Sequence, residues 1–323
     1  MNQNKYIILI AGDPNSINTE IIFKSWSKCK DSIKKKIVIV GSFDLIKKQL
    51  KKLNYNIKMS KIKSLNEPHK RNVLKILNID LKFKNPFKIK KEITSKYVLS
   101  CLNLAHKLAL NKGILGIVNC AIDKKLLRKK NIGVTEYLAK KCEIKNNSEV
   151  MMISNKKLAV IPITTHIDLK NVSKNIKSQI IVNKVKTAHI SFYNLFKRKP
   201  KIGILGLNPH NAELRSDSEE NKKIIPAIKK LRKLDIKLKG PLVSDTVFIN
   251  DYKNYDIIIG MFHDQVLAPF KSMFKFDAIN ITLGLKYLRV SPDHGTATNL
   301  ILKKKANPTS LIQCINFISK FKK

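Results

Sequence analysis

A chain of 323 residues is long enough for two domains of roughly 150 residues each. Its 43% hydrophobic and 27% charged residues are the balance of packed cores and argue against global disorder. The net charge of +41 would ordinarily point to nucleic acid, but it rests on 58 lysines against six arginines. Those lysines are spread along the whole chain beside abundant Ile and Asn, the residues of A/T-rich codons. Base readers favour the arginine fork, and stacking readers interleave aromatics with charge, yet aromatics make up only 7%. The basic excess reads as compositional drift, with no specific nucleic-acid partner.

The chain opens MNQNKYIILIAGDP, without a basic n-region or a small-residue cleavage site. Residues 6–11 (YIILIA) therefore read as a first buried strand. Apolar runs such as 6–12 and 257–262 fall far short of the roughly 20 residues that span a bilayer, so no membrane partner is expected. The loop Gly12-Asp-Pro-Asn-Ser-Ile-Asn-Thr-Glu20 leads into a helix. It carries neither G-x-G-x-x-G nor G-x-x-x-x-G-K-[ST], which disfavours a classical Rossmann or P-loop fold. Residues 36–40 (KIVIV) read as a strand, whereas the lysine-rich stretch 48–91 shows no divisible pattern. Beyond it, strands are expected at 114–121, 150–153, 158–163, 202–205, 257–260 and 278–283, and helices at 98–110, 134–142 and 221–234. Apolar runs without strict alternation, interleaved with helical patterns, indicate an α/β protein whose strands are covered on both faces. The five cysteines are odd in number, scattered and never spaced C-x-x-C, which points to a reducing, cytoplasmic setting.

Several strand candidates end in polar clusters, the place where α/β proteins carry their chemistry. Ile161-Pro-Ile-Thr-Thr-His166, Ile202-Gly-Ile-Leu-Gly-Leu-Asn-Pro-His210 and Ile257-Ile-Ile-Gly-Met-Phe-His-Asp264 each deliver a histidine just past an apolar run. One such residue is most simply a hydrogen-bonded structural histidine. Three together make an open site for a divalent metal. Asp245 follows Gly240-Pro-Leu-Val-Ser, and Asp264 and Gln265 follow the third histidine. Lys271, Asn280 and Arg289 come next, and a cationic pair beside a metal suits a phosphorylated or carboxylated small molecule. No G-x-S-x-G elbow marks a covalent nucleophile.

These stretches, with their neighbours, resemble one family. G-D-P…E (12–20), T-E-Y-L-A (135–139), T-T-H (164–166), G-L-N-P-H (206–210), G-P-L-x-x-D-T-V-F (240–248), H-D-Q-x-L-A-P-x-K (263–271), N-I-T-L-G-L (280–285) and S-P-D-H-G-T-A (291–297) look like the 4-hydroxythreonine-4-phosphate dehydrogenases, in family order. The resemblance implies an isocitrate/isopropylmalate dehydrogenase-like fold of two α/β/α domains with a cleft between them. The first would comprise residues 1–125 plus about 285–323, the second about 126–284. It implies a homodimer with the active site at the interface, NAD (or NADP) as oxidant, and a divalent metal such as Zn, Mg or Co on His166, His210 and His263. The family's substrate-binding residues carry onto Thr135, Lys271, Asn280 and Arg289. Asp245, Asp264 and Lys124 are candidates for proton handling or for supporting the histidines.

The implied reaction is oxidation of 4-phosphooxy-L-threonine to 2-amino-3-oxo-4-phosphooxybutanoate, which decarboxylates to 3-amino-2-oxopropyl phosphate on the way to pyridoxal 5′-phosphate. Four departures from the family stand out. Val134 occupies the place of a substrate-contacting histidine, Ser16 and Asn18 replace two loop glycines, Asn211-Ala-Glu-Leu-Arg215 replaces a glycine-rich segment, and Val266 replaces another glycine. Loss of the histidine contact keeps open a second substrate, a four-carbon phosphorylated hydroxy acid such as D-threonate 4-phosphate.

Overall fold

The computed structural model describes residues 5–65, 67, 72–127, 133–145, 148–275 and 277–321. It divides into two compact units, residues 1–141 with 286–323, and residues 142–285.

The first unit holds strands β1 (Tyr6–Ile10), β2 (Ile37–Gly41), β3 (Met59–Ile62), β4 (Leu74–Asn78), β5 (Ile114–Asn119) and β12 (Arg289–Pro292). They lie in the order β3-β4-β2-β1-β5-β12, and the pairings are parallel. YIILI and IVIVG are buried along their whole length, as expected of parallel strands covered on both faces. The helices of this unit are α1 (Asn18–Lys28), α2 (Asp31–Lys34), α3 (Phe43–Lys52), α4 (Lys91–Ala109), α5 (Val134–Lys141) and α11 (Thr309–Lys320), and α2 buries no side chain. Helix α4 buries Thr94, Tyr97, Val98, Cys101, Leu102, Ala105 and Ala109, an i, i+3, i+4 stripe that begins before the expected residue 98.

Strands β3 and β4 occupy the stretch whose pattern the lysines hid. Lys75 lies in the middle of β4 and is buried, its Nζ donating to the Lys35 carbonyl at 2.5 Å and standing 5.3 Å over the Tyr6 ring. Burial lowers its ammonium to about 8. The first unit extends to residue 141, past the 125 expected, because α5 is tied to α4 by a Tyr137 hydroxyl donating to Asn103 Oδ1 at 2.7 Å.

The second unit holds β6 (Val150–Ser154), β7 (Ala159–Pro162), β8 (Ile202–Leu205), β9 (Leu238–Leu242), β10 (Ile257–Gly260) and β11 (Ile279–Leu283), in the order β11-β6-β7-β10-β8-β9. The β11/β6 and β6/β7 pairings are antiparallel, and β7/β10, β10/β8 and β8/β9 are parallel. Its helices are α6 (Val172–Asn175), α7 (Ser178–Phe196), α8 (Ile225–Lys233), α9 (Ser244–Val247) and α10 (His263–Phe274). Gly240 and Pro241 lie in β9, an edge strand that tolerates the proline, and Asp245 follows in α9. Val266 is fully buried in a cluster with Val160, Leu205, Ile258 and Phe270. A side chain at Gly260 would come within 2.5 Å of it, so the valine and this glycine are matched. Among the described residues no helix is long and apolar enough to cross a membrane. The five cysteines are buried and none is in a disulfide.

Candidate functional site

In the second unit the order β7-β10-β8-β9 sets four parallel strands side by side, with their C-terminal ends on one edge. Each strand leads to a polar side chain: His166 after β7, His263 after β10, His210 after β8 and Asp245 after β9. The β7/β10 ladder runs on past both strands, with Ile163 N donating to Gly260 O at 2.8 Å and Thr164 Oγ1 to Met261 O at 2.7 Å. Neighbouring strands lie about 4.8 Å apart, and the His166 and His263 ring centroids are accordingly 5.7 Å apart. At the other end of the row His210 Nε2 stands 3.7 Å from Asp245 Oδ2, with both side chains exposed.

His263 Nδ1 donates to Asp264 Oδ1 at 2.6 Å, so the carboxylate orients the ring and Nε2 is the nitrogen that could take a metal. Lys271 lies exposed two turns further along α10. Asn280 is half-buried on β11, and its buried Oδ1 has no hydrogen-bond partner.

Gln265 ties three of these strand ends together. Its Nε2 donates to Gly206 O and to Ser244 Oγ, each at 2.7 Å, and its Oε1 accepts from Met261 N at 2.6 Å. The sequence places Gln265 beside His263 without showing this role.

The donor chemistry fits a divalent ion. Three imidazoles come off adjacent strands, with a carboxylate against one ring and another near a second. The rings as they stand do not converge, and among the described residues no three His, Cys, Asp or Glu side chains close on one point. His166 and His263 stand side by side, while His210 rests beside Asp245.

The first unit carries a different cluster. Arg289, the first residue of β12, is 3% exposed. Its Nε donates to Asn119 Oδ1 at 2.5 Å and its Nη1 to Thr135 Oγ1 at 3.2 Å. Burial lowers the guanidinium to about 10, opposed by Cys314, Glu136 and Tyr287, and it stays charged at neutral pH. Asn119 escaped the sequence reading. The only trace of it there is a polar residue closing an apolar strand. Val134 sits half-buried at the start of α5, beside Thr135, and offers no side-chain donor. Lys124 is exposed in a short turn capped by Asp123, whose Oδ1 accepts from Lys125 N at 2.8 Å.

The loop after β1 absorbs two more departures. Asn18 Nδ2 donates to Ala121 O at 2.8 Å, Ser16 Oγ donates to Asp13 O at 2.5 Å, and both residues are buried. This loop and residues 119–124 lie where strand order reverses around β1, the position that binds ligands in open α/β sheets. Burial raises the Asp13 carboxyl above its ordinary range. His106, given no role from sequence, has its Nδ1 2.9 Å from the Tyr287 hydroxyl.

The chain is similar to known proteins over nearly its whole length. It is 37% identical over 317 residues to 4-hydroxythreonine-4-phosphate dehydrogenase of Sulfurihydrogenibium sp., covering 96% of each chain. A protein of Oceanobacillus iheyensis that carries the provisional name D-threonate 4-phosphate dehydrogenase is 31% identical, with 98% of this chain and 97% of that one covered. The crystal structure of 4-hydroxythreonine-4-phosphate dehydrogenase from Klebsiella pneumoniae superposes with a TM-score of 0.86 at 27% identity, over 98% of this chain and 99% of that one. The family model described as pyridoxal phosphate biosynthetic protein PdxA matches residues 33–318, and the chain belongs to that family.

Proposed function

We propose that the chain is an NAD-dependent dehydrogenase of 4-phosphooxy-L-threonine in pyridoxal 5′-phosphate biosynthesis, acting as a homodimer. The observation that carries this reading is the row of His166, His263 and His210 at the ends of three adjacent parallel strands, in a chain whose relatives are named dehydrogenases. A divalent ion on the three histidines, when bound, acidifies the substrate hydroxyl and polarises the ketone that replaces it. A bound nicotinamide cofactor would accept the hydride of the carbinol carbon, and the hydroxyl proton would be released. The resulting β-keto acid loses carbon dioxide, and the carbon that bore it takes up a proton.

Asp264 orients His263, and Asp245 holds His210 until it is needed. Lys271 and Arg289 are assigned to the phosphate and carboxylate groups, and Asn280 and Thr135 to neutral polar groups of the substrate. Lys124, exposed in its turn, is a candidate for the final proton transfer. Three imidazoles suit Zn or Co better than Mg, which prefers oxygen ligands, and NADP is the alternative oxidant.

A second reading, oxidation of D-threonate 4-phosphate, is favoured by Val134, which lacks the polar group of the family histidine, and by the Oceanobacillus relative. Absorbance at 340 nm with each substrate, with and without a chelator, tests both readings. Chelator-sensitive turnover of 4-phosphooxy-L-threonine supports the first. Turnover of the threonate alone supports the second, and turnover that survives full metal removal contradicts both.

A further inference from the structure

Beyond Leu205 the chain enters a turn in which His210, Asn211, Ala212, Glu213 and Leu214 have φ of 50°, 58°, 49°, 50° and 55°. Five consecutive non-glycine residues in the left-handed region are disfavoured for L-amino acids and persist only where their surroundings impose them. The constraint comes from two neighbouring residues further along the chain. Glu220 is 0% exposed, and its Oε1 accepts from Leu207 N and Asn208 N, each at 2.8 Å. Asn208 Nδ2 donates to Glu220 Oε2 at 3.1 Å and to Glu219 Oε2 at 3.0 Å, while Glu219 Oε1 accepts from Ser173 Oγ. On the exit side Asn221 Nδ2 donates to the carbonyls of Leu214 and Arg215. The turn is thus clamped at entry by Glu220 and at exit by Asn221. A buried carboxylate is costly unless fully hydrogen-bonded, and this one is spent on two backbone amides immediately before His210.

We propose that Glu220 is a positioning residue for His210. Its carboxylate fixes the entry to the left-handed turn and thereby places an imidazole whose exposed ring stands 3.7 Å from Asp245. The inference rests on the reading of His210 as a metal ligand.

The test is calorimetric titration of the metal-free full chain with Zn²⁺, in wild type, Glu220→Gln, His210→Ala and the double variant. Glutamine keeps the shape but sets an amide donor against the Asn208 amide. We expect Glu220→Gln to weaken Zn²⁺ binding roughly 10–100-fold, as loss of a ligand's supporting partner does. In the His210→Ala background the further loss should be at most about threefold, since the ligand it serves is gone. Equal losses in both backgrounds would mean general disruption and overturn the proposal, as would wild-type affinity in Glu220→Gln. Wild-type affinity in His210→Ala would instead sink the metal reading, and this inference with it. Should Glu220→Gln fold poorly, Asn208→Ala removes only the side-chain part of the clamp and must show the same dependence on His210.

Discussion

Two regions of the molecule prepare for charge in opposite ways. In the first unit Arg289 is 3% exposed and held by Asn119 and Thr135, so the protein itself fixes its position. In the second unit the His210 side chain is 75% exposed and rests 3.7 Å from Asp245, while its backbone is clamped. The difference follows from where the charge comes from. An arginine carries its own charge, so the fold must desolvate and fix it in advance, and the lowering to about 10 is the mark of that cost. Imidazole ligands are neutral and need their lone pairs accessible. The fold fixes the strands and turns that carry the histidines and leaves the His210 ring open, and in the function proposed above an ion would supply the cohesion.

The comparison breaks most readily at Arg289. Arg289→Lys keeps the charge but loses the fork that reaches Asn119 and Thr135. We expect roughly a 100-fold fall in kcat/KM, corresponding to about 3 kcal/mol. Steady-state kinetics with the preferred substrate would show it, and near-wild-type turnover would mean that charge alone suffices.

Lys75 sharpens the cost of a buried cation away from any candidate site. Between pH 8 and the ordinary lysine range near 10.5 the unfolded chain holds the proton that the folded chain has released, so stability rises with pH there. Lys75→Met should remove that rise, a change on the order of 2 kcal/mol in denaturant unfolding compared at pH 7 and pH 10. Parallel pH profiles for the two proteins would contradict it.

The smallest effect belongs to the open region. His210→Ala should alter unfolding free energy by less than about 0.5 kcal/mol in the absence of metal, because the exposed ring packs against little. A loss of several kcal/mol would show that the imidazole is structural.

Legibility followed the same division. The three histidines were readable because each ends an apolar run whose strand character is plain, and strand order then puts them in one row. Arg289 was readable through its scarcity among lysines, but its partner Asn119 was not, since one asparagine at a strand end carries no spacing. Strand β4 was hidden by a buried lysine, and β9 by a Gly-Pro pair that an edge strand accommodates. The left-handed turn was invisible because His210-Asn-Ala-Glu-Leu214 contains no glycine to announce positive φ. Its cause, Glu220, lies ten residues further on. The departures at Ser16, Asn18 and Val266 looked like losses in the sequence, yet in the fold they are buried hydrogen bonds and packing. Val134 has no such compensation in the structure.

We propose that His166, His263 and His210, whose rings do not converge in the structure, close together on one ion. X-ray absorption at the zinc edge of the zinc-loaded protein, with metal content measured per chain, tests it most directly. The account predicts one ion per chain with three imidazole nitrogens at about 2.0–2.1 Å, falling to two imidazoles in His210→Ala. Two or fewer imidazoles in the wild type, or a spectrum unchanged by that substitution, would contradict it.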